Sequence, residues 1–296
     1  MKKGLFLATA VLGVSGLFVT TASAAPIMQE SFDYDAAVGD EIAPVTDYQA
    51  IGRNSGGDDD DVTFGEGLTF TGLETAGLSA NLDVREGIAR ATGYDQSFED
   101  VGTVYMSGLF RADKSAGWGN RLLAGTILRT SSNPAVYEGG LTMGIFNDPA
   151  GNLVAGLGTA NAENMYNHED FALAPTNLNA GETYYFLAKF EATDTAANEA
   201  SVSLSVFADG DELPTGEPTA WNAIDGATVG YAWYLANPLD EFWAYQDNAP
   251  ANSSNYVDEF KAGTAFGDVA VPEPASLGLL GLGGLMLLGR RRRNRC

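Results

Sequence analysis

Between Ser201 and Phe207 the chain alternates strictly, with Val202, Leu204 and Val206 set among three serines. Successive side chains of a strand point to opposite faces, so this pattern predicts a strand with one face in a core and the other in water. The run 183–192, rich in Tyr, Phe and Leu, lies just before it across the polar loop 193–199. Together, 183–192 and 200–208 predict an antiparallel hairpin. A chain built on such units must bury one apolar sheet face against a second layer.

The same texture recurs along the chain. Residues 102–112 form a strong β run, and 121–129, 141–147 and 153–157 follow it. The last two are joined by Asp148-Pro149-Ala150-Gly151, which has hairpin-turn chemistry. Residues 26–34 open with alternating apolar positions that put Phe32 and Tyr34 on one face, and 68–71 and 88–92 are shorter candidates. A short helix or turn is expected over 239–246, while no stretch sustains a helical period. Many short strands with Gly-rich turns predict an all-β fold, two antiparallel sheets packed as a β-sandwich. The only cysteine is Cys296. The body therefore has no disulfide, thiolate nucleophile or sulfur-based metal site, and its length buries one core without such staples.

Both termini read as addresses rather than as fold. Met1-Lys2-Lys3, an apolar run over 4–19 and Ala22-Ser23-Ala24 have the form of a signal peptide over 1–24, cut by signal peptidase before Ala25. At the other end, Val271-Pro272-Glu273-Pro274 enters neither helix nor sheet ladder, and 275–289 carries no charge. Arg290, Arg291, Arg292, Arg293 and Arg295 then form a cationic stop. Fifteen residues of helix reach about 22 Å, short of a hydrocarbon core of roughly 30 Å, a gap that snorkelling arginines cover. The order and spacing of these three parts resemble the PEP-CTERM sorting signal, here 271–296. That resemblance implies processing by an exosortase near the Pro-Glu-Pro, insertion in the inner membrane beforehand, and delivery to the cell surface or extracellular matrix.

The charge of the body follows from removing these segments. Seven of the sixteen Lys and Arg lie in them, leaving nine against thirty-eight Asp and Glu once Glu273 is set aside, a net charge of about −29. No basic cluster remains, which excludes a nucleic-acid partner.

Three segments of the body carry a second resemblance: Glu30-Ser31-Phe32-Asp33-Tyr34, Ala180-Gly181-Glu182-Thr183-Tyr184-Tyr185-Phe186-Leu187-Ala188-Lys189-Phe190, and Val257-Asp258-Glu259-Phe260-Lys261-Ala262-Gly263-Thr264. They resemble LamG-like, concanavalin A-like jelly-roll domains. The resemblance implies one domain over 25–270, opening and closing strands side by side, and a structural calcium near Asp258 and Glu259, with Glu30 as a further ligand.

Candidate chemistry is sparse. The one histidine, His168, lies in a polar run without a Gly-x-Ser-x-Gly elbow, so a Ser/His/Asp set is not indicated. The Glu-x-Asp-x-x-Glu motif of laminarinase-like hydrolases does not occur. Calcium takes six to eight oxygen ligands, and Asp58 to Asp61, with Asp58 and Asp60 as candidate ligands, is the obvious acidic run. Sugar binding uses aromatic faces beside polar groups. Trp118 and Trp243, in polar surroundings, are expected to be exposed, with Tyr245 beside Trp243 as a third candidate glycan contact; Trp233 is expected in the core. The sequence reads as a non-catalytic binding or structural module associated with exopolysaccharide. Two alternatives stand beside it: a polysaccharide-active hydrolase or lyase of the same fold, and a calcium-stiffened adhesive protein without a sugar site.

Overall fold

The computed structural model describes residues 26–42, 46–52, 62–73, 75, 77–82, 86–113, 121–130, 140–159, 171–230, 233–246 and 254–270. Fifteen strands run through them: β1 Met28–Glu30, β2 Gln49–Gly52, β3 Thr63–Glu66, β4 Leu78–Leu82, β5 Glu86–Ala91, β6 Thr103–Ala112, β7 Leu122–Arg129, β8 Leu141–Asn147, β9 Leu153–Thr159, β10 Phe171–Asn177, β11 Tyr184–Asp194, β12 Glu199–Ala208, β13 Ile224–Gly230, β14 Glu241–Tyr245 and β15 Asn255–Gly263. Two short helices, α1 Phe98–Val101 and α2 Phe266–Val269, and a 3-10 turn at Trp233–Ala236 complete them.

The strands form two antiparallel sheets packed face to face, a jelly-roll β-sandwich. The first runs β13-β12-β11-β6-β15-β4-β3, and the second β10-β9-β8-β7-β14-β5-β2. The closing strand β15 lies inside the first sheet. Along one edge it pairs with β6, and along the other it gives 255–257 to β4 and 260–262 to the opening strand β1. A bulge after Asp258 separates these two pairings and places Glu259 at φ +48. The opening and closing strands are thus neighbours, as the jelly-roll resemblance implies.

Alternation explains the core. Phe186, Ala188 and Phe190 of β11 and Val202 and Leu204 of β12 face the second sheet, as do Phe110 of β6 and Phe260 of β15, and Phe242 of β14 meets them from that second sheet. Phe110 and Phe186 lie 4.9 Å apart between ring centroids, and Phe242 stacks on Phe260 at 4.5 Å. The predicted hairpin is present, its strands paired from Tyr184↔Ala208 to Asp194↔Glu199. Its serine face departs from expectation, because Ser203 and Ser205 are buried. The chain returning toward β13 covers them, and their hydroxyls accept hydrogen bonds from the backbone of Gly226 (3.0 Å) and Asn222 (3.3 Å). The turn after β8 forms as its residues predict, with the Asp148 carboxylate accepting from the backbone of Ala150 and Asn152 and Gly151 at φ +85.

Three other expectations are corrected. Residues 239–246 hold strand β14 in place of a helix or turn. The 68–71 run is a loop, although Leu68 and Phe70 are buried against the outside of the first sheet. In the opening stretch only Met28–Glu30 is strand, and Phe32 turns out of it at φ +49.

Candidate functional site

The outer face of the second sheet carries the sequence's aromatic candidates. On β14, Phe242 and Ala244 point into the core, so Trp243 and Tyr245 point outward. Trp243 was expected to be exposed; it is only 7% exposed, and Tyr245 4%. The polar residues around them in sequence belong to strand ends, whereas β14 sits between β7 and β5 in the middle of the sheet. Leu122, Ile127, Phe146 and Val154 from neighbouring strands pack with them into one apolar layer. Beneath it, Gly125, Gly144 and Gly156 are cross-strand partners on three adjacent strands. A Cβ at Gly125 would lie 2.8 Å from Leu122 Cδ2 and one at Gly156 2.8 Å from Phe146 Cδ2, so these two glycines make room for the layer above them, while at Gly144 the nearest obstacle is the backbone of β7.

One polar constellation sits within that layer. The Arg129 guanidinium carbon lies 4.2 Å from the Trp243 ring centroid, and Arg129 Nε pairs with Glu241 Oε2 at 3.2 Å. This is a cation–π contact backed by a charge pair, both largely out of water. Buried indole N–H groups normally find an acceptor, yet Trp243 Nε1 has none among the described residues. The patch therefore brings an indole N–H, a guanidinium and a carboxylate together largely out of water. Arg129 escapes sequence reading because it ends an apolar run; its opposite number Glu241 becomes visible only once β14 is known to be a strand.

The acidic candidates separate into two settings. Glu30 is buried, and protein donors occupy its oxygens: Phe32 N–H at 2.7 Å on Oε1, with Tyr48 hydroxyl (2.7 Å), Arg90 Nη1 (2.7 Å) and Tyr34 hydroxyl (3.3 Å) on Oε2. Arg90 belongs to the second sheet, so this knot ties the opening strand across the sandwich. Burial, and then the Glu30 charge, push the Tyr34 hydroxyl up to about 12 and that of Tyr48 far above its ordinary range. Asp258, fully buried, accepts from the backbone of Leu68 (2.9 Å) and of Glu259 (2.8 Å). Burial raises it to about 8 against the pull of those two bonds. Glu30 and Asp258 thus serve the protein's own donors, and among the described residues no group of three or more His, Cys, Asp or Glu is arranged to hold a metal. Asp58, Asp60, Trp118 and His168 lie outside the described residues, and Trp233 is described in its backbone alone.

The third feature is where the body gives way to the tail. Helix α2 lies on the outer face of the first sheet, with Phe266 edge-on to Tyr105 at 6.0 Å and Val269 1% exposed. The Val269 carbonyl accepts from Ser107 Oγ (3.1 Å) and Tyr185 hydroxyl (3.3 Å). The folded surface therefore holds the chain up to the residue before 270. Residues 270–293 match the family model described as the PEP-CTERM protein-sorting motif. The chain carries an exosortase sorting signal. A PEP-CTERM motif marks a protein for export, for processing by exosortase, and for sorting to the surface or the extracellular space. The residues expected to carry it, Val271, Pro272, Glu273, Pro274 and the arginines at 290–293, fall within the match; Arg295 lies just past it. All of these, together with Ala22, Ala24 and Ala25, lie outside the described residues. No helix among the described residues is long and apolar enough to cross a membrane, and the apolar run 275–289 is not among them.

No curated protein matches the chain significantly. Among solved structures it is similar to the PL-14 alginate lyase of Aplysia kurodai, with 8% identity, 81% of this chain and 99% of that one covered, and a TM-score of 0.45. It is also similar to the T. cruzi calreticulin globular domain (13% identity, 83% and 90% covered, TM-score 0.43). A third is a legume lectin-like domain from Entamoeba histolytica (7% identity, 81% and 98% covered, TM-score 0.39). At that level of likeness no residue or activity passes from them to this chain.

Proposed function

We propose that this chain is exported behind a cleaved signal peptide and sorted by exosortase, and that its β-sandwich acts without catalysis as a binding or bracing module of the extracellular matrix. The observation that carries this is the sorting motif joined, without an intervening linker, to a folded acidic body. A body charge of about −29 disfavours anionic polymers, so the partner chemistry that fits is a neutral polysaccharide. Trp118 is the candidate aromatic contact; Trp243 and Tyr245, the other candidates, lie on the second sheet's outer side but are 7% and 4% exposed, so their part is to shape that surface from beneath, with Glu241 of the Trp243–Arg129–Glu241 patch as its more open polar group. A glycan array probed with protein recovered from the cell surface tests this, with released oligosaccharide measured on every hit. Retention of neutral glycans without product supports the proposal. Product release from a bound glycan would replace it with the hydrolase or lyase alternative, and no retention would replace it with a purely structural role.

A further inference from the structure

We infer that α2 is a latch on tail removal: Phe266–Val269 must undock from the first sheet before the sorting motif can be cut, so the folded body sets the rate of its own release. This rests on the sorting reading above. Peptidases that read a segment commonly take it as an extended strand, with backbone and side chains on both sides of the cut engaged. Here the residues on the body side are helical and pinned. The Ala265 amide donates to Asp268 Oδ2 at 3.0 Å, and the Ala270 amide to the Phe266 carbonyl at 2.9 Å. Val269 is sealed in the apolar cluster formed by Leu68, Tyr105, Leu109, Tyr185 and Leu187, and its carbonyl is held by Ser107 and Tyr185. Gly263 lies so close under the helix that a Cβ there would come within 2.6 Å of Asp268 Oδ2. From Val269 to Pro272 is three residues, about 10 Å of chain at full extension. That is too little for an enzyme to engage a strand spanning the Pro-Glu-Pro while the latch stays closed. When opening and closing are fast, cleavage tracks the population of the open form.

The experiment follows the full chain in cells that sort it, using pulse-chase to measure conversion of the tail-bearing form to the tail-free form. Two changes separate the causes. Val269→Ala weakens the latch and should speed conversion on the order of tenfold, in proportion to the apolar contact removed. A six-residue Gly/Ser insertion after Ala270 leaves the latch closed but supplies free chain; it should speed conversion at least as much, with the melting temperature unchanged. Val269→Ala added to the insertion should give no further gain. Conversion at the wild-type rate in both single variants overturns the latch alone. Failure of every chain to lose its tail, the insertion variant included, overturns the sorting reading and the latch with it. Should Val269→Ala fail to fold, the insertion variant decides.

Discussion

Replacing Glu30 with Gln tests whether the knot between the opening strand and the second sheet is structural. Gln keeps the shape but offers one acceptor oxygen where Glu30 offers two, and the four donors surround both. With its oxygen toward Arg90 and Tyr48, its amide faces the Phe32 N–H; flipped, it faces a guanidinium and two hydroxyls. Hydrogen bonds to a charged group contribute about 1.5–3 kcal/mol each, and breaking a buried ion pair costs about 3–5 kcal/mol. Arg90 is 31% exposed and keeps a second partner in Asp47 at 3.1 Å, so solvent and that pairing screen part of the loss. The expected cost is therefore about 2–4 kcal/mol, or roughly 5–10 °C in melting temperature for a domain of this size. Urea and thermal unfolding at pH 7, each in calcium and in chelator, measure it. The loss should be the same in both, because Glu30 spends its oxygens on protein donors. A loss under about 0.5 kcal/mol, or one that appears only in calcium, would refute this account and restore Glu30 as a calcium ligand.

Two further perturbations follow from the same geometry. Asp258 is an acid whose folded value is raised from near 3.8 to about 8, mainly by burial, so the folded state holds its proton more tightly than the unfolded chain. Its favourable contribution is complete below about pH 4, declines as pH rises, and is gone above about pH 8; the stability gap between wild type and Asp258→Asn should move steadily in the variant's favour from pH 5 to pH 8, and a pH-independent gap would show that Asp258 stays ionised. Gly144→Ala would drive a Cβ into the Ala124 carbonyl oxygen and to 2.7 Å from Gly125 Cα, backbone atoms that cannot yield as the nearby Leu122 side chain can, and should cost about 3 kcal/mol, at the upper end for overpacking; a variant within 1 kcal/mol of wild type by urea unfolding would mean that β7 and β8 are not held this closely.

The sequence makes long amphipathic strands legible and leaves centrally placed mixed ones hidden. Alternation over 200–208 and the aromatic run over 183–192 specify a hairpin because each residue meets one environment per face. In β14 the same alternation is present, but both of its faces are covered, so Glu241-Phe242-Trp243-Ala244-Tyr245 shows no apolar–polar contrast and reads as a short helix or turn. That misreading carries over to Trp243, whose neighbours look polar only when the strand is not recognised. The short strands β2 and β3 each pair with one neighbouring strand over four residues, too brief for a period to register. Asp258 and Glu30 stood out as acidic residues near the closing and opening strands; that their oxygens meet N–H and O–H donors depends on a bulge and on Arg90 arriving from the other sheet. The latch is equally unreadable beforehand, since Phe266–Val269 is a single helical turn whose partners, Tyr105, Ser107 and Tyr185, lie more than eighty residues away.

Intact-mass measurement of the protein recovered separately from the cytosol and from the extracellular fraction bears most directly on the central claim. The predicted result is an extracellular species that begins at Ala25 and has lost the apolar, arginine-ended segment after the Pro-Glu-Pro. A full-length chain confined to the cytosol, starting at Met1 and ending at Cys296, would contradict it.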